Sequence, residues 1–125
     1  MQSKLTGIRQ IDLYSFLPHS DLGSKVGRGS SSWGWTSPNG REFVAIGQMD
    51  GAAFAEITKD GQLQYLGRLP AYSVNSMWRE IRGFKNYMVI GSEAKSHGIQ
   101  VFYMRKVSKL FGWCRILINE SSFFQ

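Results

Sequence analysis

A pattern of short apolar runs separated by glycine turns occurs twice in this chain, about 45 residues apart. In the first copy, residues 32–36 (SWGWT) alternate Trp33 with Trp35, which places both rings on one face of a strand. Pro38-Asn39-Gly40 then forms a turn, because Pro presets φ and Asn-Gly tolerates positive φ. Residues 41–47 (REFVAIG), 52–58 (AAFAEIT) and 62–67 (QLQYLG) supply three more strands, parted by turns at 48–51 and 59–61. Four such runs predict a four-stranded antiparallel meander.

The second copy begins at 76–83 (SMWREIRG), with Trp78 lying 45 positions after Trp33. It continues through 87–92 (YMVIGS), where Ile90-Gly91 lies 44 after Ile46-Gly47, and 98–104 (GIQVFYM), where Gly98 lies 47 after Gly51. A longer turn at 93–97 accounts for the drift. A period near 45 residues with four strands per unit is the pattern of a β-propeller blade. Where a fourth strand is due, residues 105–125 (RKVSKLFGWCRILINESSFFQ) repeat nothing. One blade cannot bury both of its faces, and closed propellers use about 4–8 blades. The expected fold is all-β: about two four-stranded antiparallel blades of an incomplete β-propeller, the second lacking its outer strand. The expected organisation is an N-terminal strand and flexible loop (1–31), a first blade (32–70), a second, incomplete blade (71–104) and an aberrant basic and apolar tail (105–125). Remaining blades or self-association would be needed for closure.

Composition agrees with short strands: 14 glycines, 14% aromatic residues and only 3 prolines. The net charge of +6 is unevenly placed. Arg105, Lys106, Lys109 and Arg115 against Glu120 put half of it in the tail, so the body is mildly basic and no nucleic-acid partner is expected. Leu5, Ile11 and Leu13 among polar neighbours predict a strand over 5–14, followed by a long loop over 15–31. Cys114 is the only cysteine, which excludes an intrachain disulfide. No apolar run reaches signal-peptide or membrane-span length.

Blade geometry directs the search for a site. In an up-and-down blade, the connector into the first strand and the turn between the second and third strands share one end. Residues 30–33, 48–50, 73–78 and 93–97 are thereby expected on one rim. Asp50, Asn75, Trp78, Arg79, Glu93 and His97 are the candidate binding residues, since rigid blades present loops to partners. Glu93 and His97 have the spacing of a helical ligand pair but lie in a turn, and a catalytic zinc needs three ligands. No catalytic residue, metal or cofactor is therefore assigned, and His97 is expected to stabilise its turn. Trp33, Trp35 and Trp78 are either platforms for a sugar or peptide or, the reading favoured, fillers between blades. Arg79 and Glu80 either line a central channel or pair with neighbours. Arg82-Gly83-Phe84 lacks the continuation of an RNA-recognition strand, and the loop GSKVGRGSS lacks phosphate-loop spacing. No Gly-x-Ser-x-Gly elbow occurs. Asn119-Glu120-Ser121 is a glycosylation sequon, relevant only to a secreted chain.

At SSWGWTSPNGREFVAIGQMDGAAFAEIT and again at SMWREIRGFKNYMVIGSEAKSHGIQVF, the chain resembles the choice-of-anchor B proteins, which carry LVIVD-type repeats. The resemblance covers residues 5–104. It rests on Trp33-Gly34-Trp35, Gly40-Arg41-Glu42-Phe43, Gly51-Ala52-Ala53-Phe54, Tyr65-Leu66-Gly67, Trp78-Arg79-Glu80-Ile81 and the run from Ser92 to Phe102. It implies a propeller that is extracellular or held at the cell surface. Members usually carry more repeats, and Tyr103-Met104-Arg105-Lys106 departs from the acidic strand end of the family. That departure makes the tail look like an altered reading frame or a retained intron. The expected function is a non-enzymatic module that meets a protein or glycan partner through its rim. The alternatives are a fragment of a hydrolase-like propeller enzyme whose site needs other blades, and a truncated product with no function of its own.

Overall fold

The computed structural model describes residues 11–109. Cys114, the sequon, the tail from 110 onward and residues 5–10 of the expected first strand lie outside the described residues. Seven strands follow in chain order: β1 (Gly29–Thr36), β2 (Glu42–Gln48), β3 (Gly51–Ile57), β4 (Leu63–Pro70), β5 (Arg79–Phe84), β6 (Tyr87–Ser92) and β7 (Ile99–Tyr103). A 3-10 helix, η1 (Met104–Lys109), comes last. The strands make two open antiparallel sheets, one in the order β1-β2-β3-β4 and one in the order β5-β6-β7. The turns use the residues the sequence offers. Gly40 and Gly61 hold φ of 84° and 75°, and their amides donate to Ser37 O and Thr58 O.

Cross-strand pairing decides which side chains share a face. Phe43, Ala45 and Phe54 of the first sheet look toward Ile81, Met88, Ile90 and Phe102 of the second, all of them at 2% exposure or less. Phe54 stacks on Phe102 with ring centroids 4.4 Å apart. Enclosing each ring contributes roughly 2–3 kcal/mol relative to leaving it in water. Met104 and Val107 of η1 join the same core, and Trp35 packs on its margin.

The sheets come together along β1 and β5. A β-bulge between Gly29 and Ser32 sets Ser30 and Ser31 against the single residue Gly47 and turns their hydroxyls toward β5. Ser30 Oγ accepts from Arg79 N (3.1 Å) and donates to Arg79 O (2.7 Å), while Ser31 Oγ accepts from Ile81 N (3.1 Å). The Trp35 indole N–H donates to Lys85 O (3.1 Å).

Several expectations are corrected. Residues 11–14 form no strand, and β1 starts at Gly29, inside the expected loop. That loop is not free, because consecutive amide bonds over Pro18–Ser24 fold it into turns and Leu22 is buried at 3%. The second meander has three strands among the described residues, as expected, and its chain then turns into η1. The start of the expected aberrant tail is part of the fold, since Val107 is 1% exposed. The tryptophan spacing also misaligns the repeat. Ser32 pairs Ile46 and Ile81 pairs Ile90, so matching the two Ile-Gly steps makes Arg82, not Trp78, the counterpart of Trp33. Backbone register sets equivalence, and the two-residue turn Lys85-Asn86, shorter than the turn over 37–41 in the first sheet, shifts it away from the tryptophans.

Candidate functional site

The four segments expected on one rim do lie together, and Arg79 is what joins them. Its side chain crosses from β5 to the β2–β3 turn, where Nε donates to Gln48 O (2.9 Å) and Nη2 to Met49 O (3.3 Å). Nη1 lies 2.6 Å from His97 Nε2 in the β6–β7 connector. A guanidinium has no acceptor, so Nε2 must accept, and Nδ1 then donates to Gly98 O (2.8 Å). The β4–β5 connector is fastened to the same turn through Ala71 N on Asp50 O (3.1 Å) and Ser76 N on Met49 O (3.0 Å). Burial lowers the Arg79 pKa from its ordinary value, and the charge of Asp50 opposes this. The hydrogen bonds of the Arg79 side chain are therefore with the rim backbone and His97.

Asp50 and His97 are also structural ties. The Asp50 carboxylate accepts from Ser24 Oγ (2.8 Å), Lys25 N (3.0 Å) and Arg68 Nη2 (2.6 Å). Desolvation pushes its pKa up, but the hydrogen bonds from Lys25, Ser24 and Arg68 and the Arg68 charge together hold it below the ordinary carboxylate range. His97 is 4% exposed with its ring turned inward, so it offers nothing to a partner at the surface. Asn75 is exposed in the β4–β5 connector.

What the rim does expose is Trp78. Its side chain is 63% accessible, while its backbone is fixed. Trp78 O accepts from Ser76 Oγ (3.3 Å) and Ser92 Oγ (3.1 Å), and Trp78 N donates to Ser76 Oγ (3.3 Å). Beside it runs an open groove of about 310 Å³ lined by Ser30, Trp78, Arg79, Glu80, Gly91, Ser92 and Glu93. Gly91 leaves the floor bare, since a Cβ there would meet nothing within 4 Å. Glu80 pairs with Arg82 at 2.9 Å, both side chains well exposed, so that pair is weak and open to exchange. Trp33 and Trp35 behave differently. Trp35 stands beside Phe43 with centroids 5.7 Å apart, and Trp33 lies under the Arg82 guanidinium at 5.2 Å. Trp35 packs between the sheets in the manner expected of all three tryptophans, and Trp78 does not.

Sequence reasoning placed Trp78 and Glu93 on the rim but passed over Gly91 and Ser92. The pairing of Glu80 with Gly91 brings them together, and the Ile-Gly alignment of the repeat was the signal for it. Among the described residues no group of three or more His, Cys, Asp or Glu is placed to hold a metal ion. No helix among them is long and apolar enough to cross a membrane. No family model, curated protein or solved structure matches this chain.

Proposed function

We propose that the two sheets are neighbouring blades of a propeller-like stack and that the chain is a non-enzymatic binding module, extracellular or held at the cell surface. Its partner is a protein or a glycan, met at the Trp78 rim. The observation that carries this reading is an indole exposed on a fixed backbone beside an open groove with two carboxylates. Large amphipathic rings presented at little conformational cost are what recognition surfaces use. The blade assignment is supported by first strands lying side by side and by the 44-residue step between the Ile-Gly pairs. The location follows from the resemblance to choice-of-anchor B proteins.

The test is a paired glycan and protein array probed with the wild-type chain and with Trp78→Ala. Saturable binding to at least one partner, weakened at least about tenfold by Trp78→Ala, is expected for a central aromatic contact. Binding that survives Trp78→Ala intact would remove the rim from consideration. His97→Ala is a poor probe, because it strips a buried partner from Arg79.

A further inference from the structure

The chain contains its own example of what fills this groove. Matching Ile46-Gly47 to Ile90-Gly91 makes Gln48 and Met49 the counterparts of Ser92 and Glu93. In the first sheet that position is occupied: the Arg79 guanidinium, arriving from the neighbouring sheet, donates to Gln48 O and Met49 O. Gly47 makes the close approach feasible, since a Cβ there would stand 3.1 Å from Arg79 O. At its counterpart Gly91, no atom of the described residues apart from its chain neighbours lies within 4 Å of where a Cβ would stand. Among the described residues, the second sheet thus repeats the receptor half of the Arg79 contact with no arginine seated in it.

Three differences make the empty copy better suited to a cation from outside. Met49 is replaced by Glu93, which forms no ion pair among the described residues. Glu80 stands directly across from Gly91. The indole of Trp78 adds an exposed aromatic face, the surface over which guanidinium groups settle. Among the described residues Arg79 is the one basic residue lining the groove, and its three nitrogens are turned inward to Gln48, Met49 and His97.

We propose that the groove between Trp78, Glu80, Gly91 and Glu93 receives an arginine side chain of a partner protein. The guanidinium donates to the Ser92 and Glu93 carbonyls as Arg79 does to those of Gln48 and Met49, with the two carboxylates and the indole around it. This deepens the rim-binding reading and rests on it, choosing a protein partner over a glycan.

The experiment is an NMR titration of the ¹⁵N-labelled full chain with capped tri-arginine, capped tri-glutamate and diacetylchitobiose. Tri-arginine is expected to shift the amides of Gly91, Ser92 and Glu93 and the Trp78 indole N–H, while tri-glutamate and chitobiose leave them in place. The double variant Glu80→Gln, Glu93→Gln should weaken tri-arginine binding by about tenfold, since each exposed ion pair accounts for a factor of roughly 1.4–5. Asp60→Asn, an exposed carboxylate in the β3–β4 turn, should leave it unchanged. Equal weakening by Asp60→Asn, or none by the double variant, would overturn the arginine site. Chitobiose shifts that vanish in Trp78→Leu, without any tri-arginine response, would overturn it while sustaining the rim reading. If neither probe moves the rim amides, both readings fall.

Discussion

A guanidinium at 1% exposure must find acceptors for its donors, and Arg79 finds two carbonyls on the β2–β3 turn and an imidazole on the β6–β7 connector. Removing it leaves those acceptors buried and unpaired, which costs more than the hydrogen bonds were worth. Arg79→Leu is expected to destabilise the chain by about 2–4 kcal/mol, read from the urea midpoint. Arg79→Lys should recover little of this, because one ammonium cannot span the same fork of acceptors. Asp50 gives a pH dependence of known sign. Its pKa is lowered in the folded chain, so the unfolded chain binds the proton more readily. The stabilisation is complete above the ordinary carboxylate range near pH 4 and is lost as pH falls through the lowered folded value. The melting temperature should drop on acidification below about pH 4. Asp50→Asn should flatten part of that slope.

Individual elements depend on single backbone positions. Gly51 opens β3 at φ 156°, and a Cβ there would stand 2.5 Å from Leu69 O on β4. The obstacle is backbone within a ladder and cannot rotate away, so Gly51→Ala is expected to cost about 1–3 kcal/mol by chemical denaturation. The strands were legible because Asn-Gly and Asp-Gly turns and alternating apolar residues are local signals, and β2, β3 and β6 fall where those signals put them. What escaped was non-local. The bulge at Ser30-Ser31 exists because two hydroxyls meet the β5 backbone 49 residues away, and nothing within 28–31 announces it. The burial of His97 has the same origin, since its partner is Arg79 on another strand. The residues of η1 from Arg105 onward resembled an unrelated tail because they follow no strand period, although Val107 closes the core together with Met104.

At the scale of the whole molecule, the two sheets are joined by one aromatic stack, a row of serine hydroxyls and the Arg79 clamp, and the rim groove is built from the same parts. A binding module of this kind requires that the sheets form a single body. Phe54→Ala, which removes half of the stack, should therefore loosen the second sheet as well as the first, at about 3–5 kcal/mol overall. The most direct test is equilibrium urea unfolding of the monomeric chain. It would be followed at once by indole fluorescence and by native-state hydrogen exchange at Val44 and Ala55 of the first sheet and Met88 and Ile90 of the second. The account predicts one cooperative transition, with the amides of both sheets opening at the same free energy. Amides of β6 that exchange freely while those of β2 and β3 stay protected would show that the sheets do not fold together. The rim would then have no fixed geometry to offer.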